Sequence, residues 1–301
     1  MDKFVVSGVN SAVATALDPD LAPDLASFGA HCRQLLANGC DGLAVLGTTG
    51  EANSFSVAER KTIVEGALRA GVPPERLLPG TGVAAYPDTI ELTRHALSLG
   101  VEKVVMLPPF YYKAPSDQGL IDSYSRIVDG VGDSRLKVIL YHIPQTSAVP
   151  IPHDVIAALR EKFPGTFIGI KDSSGDFDNM ATMVKRFPGL AVLAGADPLL
   201  LPLLKLGGAG CITAAANLIP GELAAVYAGF ADLGRQAEVD AAQARIVAVR
   251  ALTTGPQQIA NVKAALSLVT GNTGWRRVRP PLVAADAAMV ANLAESGLLE
   301  V

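Results

Sequence analysis

No stretch of about 18 residues in this 301-residue chain is free of charges, prolines and glycine turns, so nothing reads as a membrane-spanning helix. The opening residues, MDKFVVSGVNS, hold no long apolar segment before Ser7 and Asn10, and no secretory leader is expected. Cysteine is scarce. Cys32, Cys40 and Cys211 are odd in number and lack metal-type spacing, which favours buried free thiols in a reducing compartment, with the cytoplasm as the expected location. Lysine and arginine form no run, RRVR at 276–279 being too short to count, and the net charge is −4, so no nucleic-acid partner is expected. Four histidines, His31, His95, His142 and His153, are scattered along the chain, which leaves metal-dependent chemistry without a ligand cluster. No flavin, nicotinamide or pyridoxal site is indicated, so neither cofactor nor metal is expected.

What the chain does have is apolar bulk: half of it is hydrophobic and 18% charged, enough to bury a large core. Eight short apolar runs, at 11–16, 42–46, 77–80, 103–107, 138–142, 167–171, 191–194 and 211–213, are rich in valine, isoleucine and leucine. They show little polar alternation, as parallel strands buried on both faces do. Helix-like segments separate them, at 24–38, 56–70, 89–99, 118–131, 153–163, 178–187 and 198–206. Ser56 and Glu59 form a capping-box pattern, and Gly71 and Gly100 fall where helices should stop.

Eight β/α units without a Gly/Ser-rich linker predict a closed (β/α)₈ TIM barrel, an α/β fold. A doubly wound open sheet would need a glycine-rich loop after the first strand, and residues 10–18 contain no glycine. From Pro220 onward the pattern is helical only, broken at Gly255-Pro256 and Gly271-Asn272. The expected organisation is a barrel over 1–233 and a C-terminal helical extension over 234–301, packed on the barrel.

Catalytic groups in such a barrel stand at the C-terminal ends of the strands. Four segments there carry suitable chemistry. Gly47-Thr48-Thr49-Gly50-Glu51 offers backbone N–H groups and two hydroxyls that suit a carboxylate or phosphate, or it is an ordinary turn with a capping threonine. Tyr111 and Tyr112 read either as packing or interface residues or as an acid. Tyr141 ends the fifth run, and parity alone leaves open whether it points into the mouth or the wall. Lys171 ends the sixth run. Desolvation favours a neutral amine over an ammonium, and such an amine can attack a ketone; a lysine here could equally snorkel outward or pair with Asp172.

Cys211 is a nucleophile without a nearby histidine in sequence, so a buried thiol is the expected role. Gly207, Gly208 and Gly210 precede the eighth run and read as a turn at the bottom of the barrel.

Taken in order, GTTGE at 47–51, the tyrosine pair at 111–112, YxxP at 141–144 and GIKDSSGD at 169–176 resemble the dihydrodipicolinate synthase/N-acetylneuraminate lyase family, from about residue 5 to the C-terminal helices. The resemblance implies class I aldolase-type chemistry on pyruvate or a related 2-oxo acid. It makes Lys171 the Schiff-base lysine, Tyr141 the proton-shuttling phenol and Thr48 a member of its proton relay. It places Thr49, with Gly47 and neighbouring N–H groups, on the substrate carboxylate, and a backbone carbonyl at Ile212 beside the lysine. Tyr112 matches a relay tyrosine received from a neighbouring subunit, which implies a homo-oligomer, usually a tetramer built as a dimer of dimers.

Substrate selection departs from the better-known members. Where the synthase pattern YNVPSR carries an arginine for a carboxylate, YHIPQT has Thr146, and a hydroxyl cannot replace a bidentate cation. Where sialic acid lyases carry an acidic pair, Gly195-Ala196-Asp197-Pro198 keeps only Asp197. Ser147, Ser173, Asp197 and Thr213 are expected near the mouth, beside Thr146 and Gly195, touching a short hydroxylated tail. His142 replaces the usual asparagine, and the sequence assigns it no role. The expected activity is a lyase, aldolase or dehydratase on a short 2-oxo acid. Dihydrodipicolinate synthase, with its arginine supplied from elsewhere, and a non-catalytic 2-oxo acid binding protein are the alternatives.

Overall fold

Parallel strands buried on both faces must be covered outside by helices and inside by one another, and the chain closes on itself to achieve both. The computed structural model describes residues 4–299, so the outermost positions of the two expected units lie outside the described residues. The strands are β1 (Gly8–Ala12), β2 (Gly42–Ala44), β3 (Lys103–Met106), β4 (Lys137–His142), β5 (Phe167–Asp172), β6 (Ala191–Ala194) and β7 (Gly210–Thr213). All pair in parallel, in the order β2-β1-β7-β6-β5-β4-β3.

The run at 77–80 was expected as a strand of its own and forms two isolated bridges instead, Leu77 with Leu43 and Gly80 with Val105. Pro79 explains this, since it has no N–H to give to a ladder. The segment still joins the two sheet edges. Leu78 N–H donates to the Leu43 carbonyl at 2.9 Å, and Val105 N–H donates to the Pro79 carbonyl at 3.0 Å. It is the third stave in chain order and brings their number to eight, and the architecture is a (β/α)₈ TIM barrel. The first strand begins and ends earlier than its apolar run, because Val13 to Leu17 continue as buried loop.

The helices are α1 (Leu25–Ala37), α2 (Val57–Arg69), α3 (Tyr86–Ser98), α4 (Asp117–Val131), the short α5 (Pro144–Ser147), α6 (His153–Lys162), α7 (Phe177–Arg186), α8 (Leu200–Lys205), α9 (Pro220–Gly229), α10 (Gln236–Thr253), α11 (Gln258–Thr270) and α12 (Ala287–Glu295). Ser56 and Glu59 close the capping box at the start of α2. Gly71 and Gly100 follow α2 and α3 with φ of 90° and 81°, a region that favours glycine. The α5 turn had no counterpart in the sequence pattern. Among the described residues no helix is long and apolar enough to cross a membrane.

Two apolar clusters divide the core. One fills the barrel interior with Ile139, Tyr141, Ile168, Leu193 and Ile212 among others. The larger one lies between the strands and the helices, and includes Leu140, Ile170, Val192 and Cys211. Residues after α10 tie back to the second βα loop. Lys263 of α11, fully buried, meets Glu51 at 2.5 Å, and the Arg279 N–H donates to the same carboxylate at 2.9 Å.

Candidate active site

Neighbouring parallel strands in register bring residues at equal height side by side, and β4 and β5 do this for Tyr141 and Lys171. Side chains alternate faces along a strand, so the inward position of Tyr141 follows from Ile139 two residues earlier in the interior cluster. Lys171 would not follow the same rule from Ile168, which also points inward. Val138 pairs with Phe167 but Ile139 pairs with Gly169, which leaves Ile168 as an extra residue in β5. This bulge resets the parity, so that Lys171 stands inside next to Tyr141. Gly169 makes it fit: a Cβ there would stand 2.8 Å from the Ala191 carbonyl oxygen.

Lys171 is only 5% exposed, so it does not snorkel. Nor does it pair with Asp172, whose carboxylate is turned to the outer face. There it accepts from Ser174 N–H at 2.8 Å and from Asn179 Nδ2 at 2.7 Å. Instead Lys171 Nζ lies 4.2 Å from the centre of the Tyr141 ring. The Tyr141 hydroxyl lies 3.2 Å from Thr48 Oγ1. Burial alone would raise the Tyr141 phenol, but the Lys171 charge and hydrogen bonds with Thr48, Ser173 and Lys171 outweigh it and carry the phenol below its ordinary value.

The threonine loop is held by its ends. Leu46 and Glu51 adopt left-handed φ of 57° and 55°, a strain that the surroundings must sustain. Thr15 Oγ1 donates to the Gly50 carbonyl at 2.8 Å, and Glu51 is locked to Lys263. Gly47 needs no special space, since a Cβ there would meet nothing within 4 Å.

These groups open into a cavity of about 570 Å³. Of the residues expected from the sequence, Thr48, Thr49, Tyr141, Thr146, Lys171, Ser173 and Gly195 line it. Ser173 has room because a Cβ at Gly195 would collide with its hydroxyl. Gly47 and Ile212 lie outside that lining, Ile212 among the buried barrel residues.

Three expected contacts are corrected. Ser147 is buried in its own turn, its hydroxyl 3.0 Å from the Ile143 and Val149 carbonyls and accepting the Val149 N–H. Thr213 shares the parity of Cys211 rather than of Ile212 and stands on the outer face beside Asp197. Asp197 is fully buried behind the cavity wall, where it accepts the Ala215 N–H at 3.1 Å and pairs with Arg250. Tyr112 is 79% exposed and does not reach the cavity within this chain.

His142 now has a role: its Nδ1 accepts the Ile151 N–H at 3.1 Å on the outer face, and burial lowers the imidazole. His31, one of the four scattered histidines, is buried. Its Nε2 lies 3.1 Å from Asn217 Oδ1 and its ring is edge-on to Trp275. Cys32, Cys40 and Cys211 are free and buried, and burial pushes the first two up to about 12. Sequence reasoning missed the lip contributed by α10, α11 and the segment before α12, namely Arg250, Gln257, Gln258 and Pro281 to Val283. No motif marks them, because the fold alone brings them there.

A lysine buried at the mouth of a barrel, beside a phenol and a hydroxyl, defines an enzyme of the class I lyase type. The chain belongs to the dihydrodipicolinate synthetase family, whose model matches residues 5–296. It is 38% identical over 262 residues to an uncharacterized DapA-like lyase of Chloroflexus aurantiacus, covering 86% of each chain. It is 35% identical over 295 residues to a 4-hydroxy-tetrahydrodipicolinate synthase of Kineococcus radiotolerans, covering 96% of this chain and 93% of that one. Among solved structures it resembles dihydrodipicolinate synthase from Agrobacterium tumefaciens, with TM-score 0.87, 31% identity and coverage of 98% and 100%. It also resembles YagE of Escherichia coli K12 in complex with pyruvate, with TM-score 0.88, 27% identity and coverage of 97% and 98%.

Proposed function

We propose that the chain is a Schiff-base aldolase or dehydratase acting on pyruvate or a short hydroxylated 2-oxo acid, of the 2-keto-3-deoxy sugar acid or hydroxy-2-oxoglutarate kind. One observation carries this reading: Lys171 is buried in the cavity with its nitrogen 4.2 Å from the Tyr141 ring, while the Tyr141 hydroxyl reaches Thr48. The Lys171 amine adds to the 2-oxo carbon. The carbinolamine then loses water to give an iminium, with Tyr141 relaying the protons through Thr48. The iminium withdraws electrons, so the adjacent carbon can lose a proton and become an enamine. That enamine either adds to an aldehyde or expels a hydroxyl group from the next carbon. Cleavage runs the addition backwards.

Thr49 and nearby backbone N–H groups hold the first carboxylate, and the Ile212 carbonyl faces the lysine in this reading. Tyr112, exposed on its loop, enters the site of a neighbouring copy.

Synthesis of 4-hydroxy-tetrahydrodipicolinate is the second reading, favoured by the names of several relatives. Thr146 at the position of the family's arginine weighs against it. A panel of 2-oxo acids and aldehydes, each trapped with borohydride and followed by mass spectrometry, tests both readings. The expected adduct is on Lys171 and vanishes in Lys171→Ala. Turnover that survives Lys171→Ala would overturn the mechanism. Condensation of pyruvate with aspartate semialdehyde at the rate of the aldol or dehydration reactions would favour the second reading.

A further inference from the structure

Among the described residues, the cavity that holds Lys171 and Tyr141 is lined by a second cation, Arg250, and by no aspartate or glutamate. Arg250 comes from the last turn of α10, and its side chain is 21% exposed. A guanidinium carries five N–H donors in a planar fork. Among the described residues the guanidinium pairs with Asp197 alone, whose Oδ2 lies 3.3 Å from a terminal nitrogen. That distance is longer than a close charge-assisted bond, and it engages one corner of the fork.

Asp197 is itself divided, since its other oxygen accepts the Ala215 N–H. Burial raises the Asp197 carboxyl, and Arg250, Thr213 and two backbone N–H groups offset only part of this. Asp197 therefore holds one corner of Arg250 without occupying all its donors, and Arg250 lines a cavity to which the described residues bring no carboxylate.

We propose that Arg250 receives a second carboxylate, so that the site takes 2-oxo acids or aldehydes whose far end is an acid rather than a neutral polyol. This deepens the Schiff-base reading above and rests on it. The threonine loop holds the carboxylate next to the ketone, Lys171 takes the ketone, and Arg250 holds the opposite end. The cation absent at position 146 is supplied from α10, a different element. Asp197 is a positioning residue in this arrangement, holding the guanidinium against the wall.

The test compares 2-oxoglutarate with 2-oxovalerate, which match in length and differ in the terminal carboxylate. Binding is measured by calorimetry at two salt concentrations, and borohydride trapping of pyruvate is run in parallel. The wild type should prefer 2-oxoglutarate by about ten- to a hundredfold, the range of a charged hydrogen bond, and less at high salt. Arg250→Gln should reduce that preference to about twofold, with the loss falling on 2-oxoglutarate rather than on 2-oxovalerate.

The double variant Arg250→Gln/Asp197→Asn, which strands no buried charge, should behave alike, and Arg250→Lys should keep part of the preference. No preference in the wild type, a preference retained without Arg250, or equal loss of both ligands would overturn the assignment. Absence of any trapped adduct in the wild type would instead sink the Schiff-base reading. The calorimetric preference is read independently of it.

Discussion

At the scale of single residues, chemistry depends on which face of a strand a side chain occupies. Tyr141 and Lys171 point inward, while their chain neighbours His142 and Asp172 point outward and are absorbed by hydrogen bonds to Ile151, Ser174 and Asn179. Removing the Tyr141 hydroxyl should therefore damage proton transfer more than binding. Tyr141→Phe is expected to lower kcat by about a hundredfold or more while KM for the 2-oxo acid changes little, measured in steady-state assays. An equal effect on KM alone would contradict the role given to the phenol.

His31 makes a second residue-scale prediction. Burial depresses its imidazole from 6.5 to about 4, against a smaller opposing effect of Asn217. The unfolded chain therefore binds the proton first as pH falls. His31 contributes stability in full above about 6.5, and the contribution is lost as pH drops towards 4. The loss over that window is about 3 kcal/mol, taking the ordinary conversion of pKa to free energy. His142 is depressed by burial and acts in the same direction. Urea unfolding of wild type and His31→Gln between pH 7 and 4 should show a flatter profile for the variant. Identical slopes would refute the assignment.

At the scale of elements, the bulge in β5 is the decisive local feature. Without the extra residue at Ile168, Lys171 would take the outer face that Ile170 now occupies. Gly169→Ala should force its Cβ against Ala191, destabilise the barrel by about 1–3 kcal/mol and lower the yield of trapped adduct at Lys171 several-fold. Unchanged stability and trapping would show that the bulge tolerates a side chain. Alternation of strands and helices was legible in the sequence because apolar runs and capping residues act locally, as at Ser56 and Glu59. The bulge was not legible, because a residue pairs or fails to pair only against a partner strand. The third stave was legible as a stave, but Leu77 to Gly80 form bridges rather than a regular strand because Pro79 has no N–H for the ladder.

At the scale of the whole molecule, the helices beyond α9 are bound to the chemistry by charge. Glu51 leaves the threonine loop and finds Lys263 in α11, both fully buried. Removing one partner strands the other, so Lys263→Met should cost about 3–5 kcal/mol in unfolding experiments, and Glu51→Leu/Lys263→Met should recover much of it. A single variant as stable as the wild type would show the pair to be inert.

Exposed Tyr112 makes the complementary prediction between copies. Neither Lys171→Ala nor Tyr112→Phe is expected to turn over substrate well. Mixed and refolded together they should regain about a quarter of wild-type activity, because half the sites in half the pairs combine a lysine from one copy with a tyrosine from another. No recovery would place Tyr112 in its own chain or outside the reaction.

The order of apolar runs, the lysine closing the sixth of them, and the four motifs were properties of the sequence alone. They determined the barrel and the family and singled out Lys171 as the candidate amine, because periodicity and short motifs act over a few residues. Tertiary structure alone decided which of the expected polar residues reach the cavity. It turned Ser147, Asp197 and Thr213 away from the substrate space and brought Arg250 in from a helix with no motif of its own. The physical reason is that a wall is assembled from residues remote in sequence, and their meeting is settled by packing and the pairing of buried charge.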